Sequence, residues 1–111
     1  MDKEELNEKI ITLLAELVNL YKIVNKPTIA QRLQEELTDL KRKKIYELSN
    51  GERSSREIAQ IVGGINYSTI TIYWRRWAQK GIMLPAQRAG RYKHVVDLKE
   101  YRIEPSETED E

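Results

Sequence analysis

Cationic and hydroxyl-bearing side chains are concentrated between Arg53 and Lys93, and they are the groups in this sequence best suited to binding a ligand. Such side chains donate hydrogen bonds to phosphate oxygens, and arginine also contacts guanine through two parallel hydrogen bonds. The pattern therefore indicates binding to a phosphate backbone. The candidate contact residues of these types are Arg53, Ser55, Arg56, Tyr67, Ser68, Thr69, Thr71, Arg75, Arg76, Arg88, Arg91 and Lys93, and the apolar Ile72 is added because it can touch a thymine methyl group.

Groups for catalysis or metal binding are not apparent in the sequence. The chain has no cysteine, and its one histidine, His94, has no second histidine to share a metal. We find no paired carboxylates in an apolar setting, no glycine-rich phosphate loop before a helix and no nucleophile beside a base. The sequence therefore predicts no enzyme, no metal site, no cofactor and no small-molecule ligand.

The distribution of charge supports a phosphate-binding surface. Residues 1–40 have a net charge of −3, residues 41–93 of +9 and residues 94–111 of −5, whereas the whole chain has only +1. Proteins that bind phosphate backbones need such a local basic patch, although a solvated basic surface without a binding role is the alternative. No signal peptide or membrane-spanning stretch is visible, so we expect a cytoplasmic protein without a membrane partner.

A long helix is predicted at the start of the chain, over residues 3–24. Six of its apolar residues follow one another at steps of 4, 3, 4, 3 and 4, which is the seam of about three heptads. The helix either folds back to complete a core or pairs with the same helix of a second chain, and the regular pattern favours a homodimer. The predicted dimerisation residues are Leu6, Ile10, Leu13, Leu17, Leu20 and Val24.

Helical patterns continue to the middle of the chain. Pro27 suits the first turn of a second helix, and the apolar stripe from there to Leu48 is compatible with one helix or two. Ser54 and Glu57 have the spacing of a capping box, which predicts a short helix that Gly63-Gly64 ends. A longer helix is predicted over residues 67–80.

The outer face of that longer helix follows from its apolar spacing. Ile70, Trp74 and Trp77 recur at steps of 4 and 3 and are predicted to face the core, although indoles can also stack on bases. The outward residues are then Tyr67, Ser68, Thr71, Ile72 and Arg75, and packing is the alternative for Ile72.

A hairpin and a short tail complete the chain. Two apolar runs flank a loop that contains Gly90, which predicts a β-hairpin whose tip, residues 85–93, is basic. Residues 97–103 suit one final helical turn. Residues 104–111 are acidic and contain no core residue, so we expect them to be disordered.

The spacing of several residues resembles that of the winged helix-turn-helix transcription regulators, especially the small archaeal type with an added N-terminal dimerisation helix. The resemblance covers about 60 of the 111 residues. The departures are the double glycine, which makes a looser turn, and the tryptophans in the place of leucines. The residues that carry the resemblance are Glu57-Ile58-Ala59, Ser68-Thr69-Ile70, Trp74, Trp77 and Gly81-Ile82-Met83.

This resemblance implies a mainly α fold with a small β-hairpin, in which a winged helix-turn-helix follows a long N-terminal helix. We expect a helical dimerisation region at 1–38, a DNA-binding domain at 39–103 and the acidic tail. The implied function is sequence-specific binding of double-stranded DNA by a homodimer that regulates transcription. The 67–80 helix would enter the major groove, and the 85–93 wing would contact the flanking backbone or the minor groove. A protein–protein interaction module and RNA binding are the alternatives.

Overall fold

The computed structural model describes residues 2–103, and this part of the chain is mainly helical with one small antiparallel hairpin, as predicted. No helix in this range is long and apolar enough to cross a membrane. The predicted disorder of residues 104–111 lies outside the described residues. The elements are α1 (Lys3–Val24), α2 (Lys26–Glu36), α3 (Leu40–Leu48), α4 (Ser55–Val62), α5 (Tyr67–Gln79), β1 (Met83–Pro85), β2 (Tyr92–His94) and a final 3₁₀ turn at Leu98–Tyr101.

Capping side chains determine where the middle helices begin. The Ser54 hydroxyl accepts a hydrogen bond from the backbone N–H of Glu57, whose carboxylate accepts one from the N–H of Ser54, so the predicted capping box begins α4. Asp39 begins α3 by accepting a hydrogen bond from the N–H of Arg42. The stretch from residue 29 to 48 is therefore two helices.

One core is shared by α2 to α5, the hairpin and the 3₁₀ turn. Ile70 is fully buried and Trp74 and Trp77 are each 1% exposed, so the face of α5 that was expected to turn inward does so. The core also includes two residues of α2, Ile29 and Leu33, and Leu37 just beyond it. The structure thus groups α2 with the unit that the sequence analysis begins at residue 39.

A chain of buried hydrogen bonds ties α5 to the end of α3. The Trp74 indole N–H donates to the hydroxyl of Ser49 over 2.8 Å, and that hydroxyl donates to the carbonyl of Ile45 over 2.7 Å. Because buried polar groups are costly without partners, this chain favours one orientation of the indole and therefore of α5.

The hairpin is held by the segment that joins α3 to α4. Met83 pairs with His94, and Pro85 pairs with Tyr92. On the other side of β2, Asn50 forms an isolated antiparallel bridge with Lys93. Because β2 is paired on both sides, the position of the hairpin from which the exposed loop extends is fixed relative to the segment between α3 and α4.

Helix α1 attaches to this unit only near its C-terminal end. The Tyr21 hydroxyl donates to the carbonyl of Gly81 over 2.7 Å, and Arg32 of α2 donates to the neighbouring carbonyl of Lys80 over 2.6 Å. Between Lys3 and Leu20 every residue is exposed except the half-buried Val18, and α1 contains no buried residue. Within one chain, α1 therefore does not fold back to complete the core.

Candidate nucleic-acid interface

The outer face of α5 carries four exposed residues at steps of 4, 3 and 4. Since an α-helix has 3.6 residues per turn, these positions form one row opposite the buried indoles. Ile72 in this row is 60% exposed, so its packing alternative is wrong within one chain. Gln79 was not among the residues predicted from the sequence, although its position four residues beyond Arg75 is the signal that finds it. The row is Ser68, Ile72, Arg75 and Gln79.

Arg75 is the one cation in this row, and its side chain is exposed. The three ion pairs formed within residues 2–103 involve Arg76, Lys80 and Arg88, not Arg75. Its guanidinium, which offers five N–H donors in a planar fork, is therefore available for a ligand that accepts two hydrogen bonds.

Arg76, which was also predicted as a contact residue, forms an ion pair with Glu36, although its side chain remains 61% exposed. Its guanidinium donates to both carboxylate oxygens of Glu36, with Nε–Oε1 at 2.6 Å and Nη2–Oε2 at 3.1 Å. These hydrogen bonds and the charge of Glu36 raise the pKa of Arg76. Glu36 lies in α2 and is only 7% exposed, so this ion pair links α5 to α2, and Arg76 lies beside the outer row.

The first turn of α5 is joined to α4 by a second arginine. The Arg56 guanidinium lies 4.3 Å from the centre of the Tyr67 ring, and its Nη2 donates to the Tyr67 hydroxyl over 3.2 Å. Both side chains are exposed. Two predicted contact residues from different helices are thus brought together at the start of α5.

The hydroxyl groups near this turn are already donating hydrogen bonds. Ser68 Oγ donates to the side chain of Asn66 over 2.9 Å, and Thr71 Oγ1 donates to the carbonyl of Tyr67 over 3.2 Å. Each oxygen keeps its capacity as an acceptor, and each proton can be redirected to a ligand. Thr69, also a predicted contact, is half-buried on the flank of the helix.

Comparison with protein-family models, with curated proteins and with solved structures finds no match to this chain. Its function must therefore be inferred from its own residues and their geometry.

The hairpin loop places its arginines against the segment before α4. Arg91 Nε donates to the backbone carbonyl of Glu52 over 3.1 Å, and Arg88 lies 3.7 Å from the Glu52 carboxylate. The Arg88 and Glu52 side chains are 61% and 75% exposed, so this ion pair is weak. Glu52 was not predicted to lie at this surface, because its proximity to the hairpin appears only in the fold.

The segment before α4 itself supplies two more predicted contacts. Arg53 donates to the carbonyl of Leu48 over 3.1 Å and is half-buried, as is Ser55, the first residue of α4. One nitrogen of the Arg53 guanidinium is therefore already used in a hydrogen bond within the fold.

The charges of the hairpin loop act on the start of α4. The pKa of Glu57 is lowered, first by the hydrogen bond from the backbone N–H of Ser54 and also by the charges of Arg91 and Arg88. The contact between Arg91 and Glu52 joins the loop to the segment before α4, and the contact between Arg56 and Tyr67 joins α4 to α5. The predicted contact residues, Arg76 included, therefore lie along connected elements, with Lys93 exposed in β2.

Within residues 2–103 no group of three or more histidine, aspartate or glutamate side chains is arranged to hold a metal ion.

Proposed function

We propose that residues 40–98 form a winged helix-turn-helix and that the chain binds double-stranded DNA sequence-specifically, as a homodimer that regulates transcription. The observation that carries the proposal is the outer row of α5. It presents an arginine that forms no ion pair within residues 2–103, an amide, a hydroxyl and an exposed isoleucine on one side of a helix whose opposite side is fully buried.

The order of the elements supports the fold assignment. A helix is followed by a short capped helix, a turn, a longer helix and then a hairpin, which is the order in the regulators that the sequence resembles. The bridge between Asn50 and Lys93 adds a short strand-like segment beside the hairpin. In this assignment α5 is the reading helix and the loop between β1 and β2 is the wing.

The outer row of α5 has the chemistry that the major groove requires. Arginine pairs with the O6 and N7 acceptors of guanine, glutamine pairs with adenine, and an apolar side chain contacts the methyl group of thymine. Arg75, Gln79 and Ile72 supply these three groups at neighbouring positions. Arg75 therefore reads a guanine, and Ile72 is placed to contact a thymine beside it.

The wing and the start of α4 supply contacts to the backbone. Lys93 is exposed, and in the part of the chain that the structure describes the Arg88 guanidinium forms a solvent-exposed ion pair with Glu52. Exchanging such an ion pair for a phosphate costs little, because exposed pairs contribute only about 0–1 kcal/mol. Arg56 at the start of α4 lies at the edge of the same surface.

A protein-binding module is the second candidate, and two exposed isoleucines favour it. Ile61 in α4 and Ile72 in α5 are 59% and 60% exposed, and large apolar side chains on a surface often mark contacts with proteins. Arg75, Arg88 and Lys93 favour nucleic acid instead.

Titration of the protein with fluorescent duplex DNA, duplex RNA and single-stranded DNA separates the candidates. We expect duplex DNA to bind most tightly, with an affinity that falls as salt rises by a log–log slope of about −0.9 per phosphate contact. The double variant Arg88→Ala/Lys93→Ala should reduce that slope by roughly two units. Stronger binding to RNA would favour the RNA alternative, and no binding at low salt to any of the three would favour the protein-binding module.

A further inference from the structure

Helix α1 carries two apolar stripes that one chain leaves largely uncovered. The first is the seam of six residues at heptad spacing, which are between 45% and 72% exposed. The second lies on one flank of the seam and is formed by Ile11, Leu14, Val18 and Tyr21; we call it the flank stripe. Ile11 and Leu14, in its N-terminal half, are 62% and 56% exposed.

The C-terminal half of the flank stripe is packed against the hairpin and leaves an apolar trough beside it. The trough has a volume of about 300 Å³ and is open to solvent. Leu84 of β1, on its rim, is 44% exposed. Its lining residues are Leu17, Val18, Tyr21, Gly81, Leu84 and Val95.

From these features we infer that a second copy of this chain docks on α1 in the antiparallel direction. In that arrangement Ile11 and Leu14 of each copy lie against the trough of the other copy. The inference rests on the homodimer of the proposed function and adds the orientation of the two copies and the residues that seat them.

Two-fold symmetry explains why the antiparallel direction fits. When the axis is perpendicular to the helices, the same flank of both copies lies on the same side of the pair. The exposed flank stripe of one copy then faces the trough of the other. When the axis runs along the helices, opposite flanks meet, and Ile11, Leu14 and both troughs remain in water. Only the antiparallel pair therefore covers the seam, the flank stripe and the trough together.

The charges along α1 favour the same direction. Residues 2–16 contain five acidic and two basic side chains, a net charge of −3, whereas residues 17–26 contain only Lys22 and Lys26, a net charge of +2. An antiparallel pair brings these unlike halves together, and a parallel pair brings like halves together. The two Glu16 carboxylates approach each other near the axis, but burial of the leucine seam outweighs this exposed contact.

The size of the surface suits a stable dimer. Burial of the exposed seam and flank side chains removes on the order of 700 Å² of apolar surface per copy, close to the roughly 800 Å² per partner of a standard interface. Apolar patches of this size are rare on monomeric proteins.

Distances between spin labels in the DNA-free protein determine the direction. Because the chain lacks native cysteine, single labels are attached at Glu4→Cys, Thr12→Cys and Glu16→Cys, all at exposed positions. In an antiparallel pair whose two-fold axis passes residue 15, the middle of the seam, the two labels are offset along the helices. The offset is roughly 33 Å at position 4, 9 Å at position 12 and 3 Å at position 16. The measured distance should therefore shorten from position 4 to position 16. A parallel pair has no axial offset, so a distance at position 4 well below ~33 Å would establish a parallel pair, and no dipolar coupling would establish a monomer; either overturns the inference.

A second measurement tests the trough itself. Leu84→Asp should raise the dimer dissociation constant in sedimentation at least tenfold, because the partner's helix must desolvate the new charge. Ile61→Asp, on a comparably exposed isoleucine of α4, is the control and should leave the dimer intact. Equal dissociation constants for Leu84→Asp and the wild type would remove the trough from the interface. Duplex DNA titration of the wild type is an independent assay, so a wrong orientation and a failure to bind DNA are distinguished.

Discussion

Replacing Arg75 by alanine should weaken binding to a specific DNA duplex by about 5- to 150-fold, or ~1–3 kcal/mol. The guanidinium is exposed on the outer row of α5 and takes part in none of the ion pairs between described residues, so its removal costs binding without disturbing packing. Fluorescence anisotropy with one specific and one random duplex measures the effect. The affinity for the random duplex should fall much less.

Two further variants separate hydrogen bonding by Arg75 from its charge. Arg75→Lys keeps the charge but loses the planar fork, so it should lose most of the preference for the specific duplex. Lys99→Ala removes one exposed positive charge in the 3₁₀ turn and should bind both duplexes like the wild type. Equal losses on specific and random DNA for Arg75→Ala would show that this residue does not read a base.

Replacing Ile70 by alanine should lower the free energy of unfolding by about 2–5 kcal/mol, whereas Ile72→Ala should change it by less than ~0.5 kcal/mol. Ile70 is completely buried, and truncating it leaves a cavity among the indoles. Ile72 is 60% exposed two residues further along the same helix, so it makes a matched control. Thermal unfolding should show a midpoint lower by roughly 10 °C or more for Ile70→Ala alone.

The same pair should behave in the opposite way in DNA binding. Ile72→Ala should weaken binding to a specific duplex at a temperature where it is fully folded, because a thymine contact is lost. If Ile72→Ala destabilises the chain as much as Ile70→Ala does, the outer row is not free and α5 has been assigned the wrong face.

Features with local causes could be predicted from the sequence. The bounds of α1, the capping box at Ser54 and the inward face of α5 each depend on residues within a few positions of one another. Helix period and capping chemistry are determined at that range. The loop between β1 and β2 was found for the same reason, since a glycine between two apolar runs is a local signal.

Features that depend on distant residues could not be predicted. Arg76 is of a residue type that binds phosphate, and no local pattern shows that it has a partner. That partner, Glu36, is 40 positions away and comes within reach only when α2 and α5 join the same core. The hydrogen bond from Tyr21 to Gly81 spans 60 positions and leaves the trough open beside α1. The apolar stripe of α2 carried no sign of whether it would join the core or a dimer seam. These outcomes are decided by tertiary packing, which a pattern along one chain does not encode.

The claim that the outer row of α5 reads duplex DNA is tested most directly by selecting bound duplexes from a random-sequence pool with the wild-type protein. The proposal predicts that successive rounds enrich one sequence motif, with a guanine at its most constrained position. A pool that stays random through selection, while the protein remains folded and binds the pool, would contradict the proposal, since the protein would then hold only the DNA backbone.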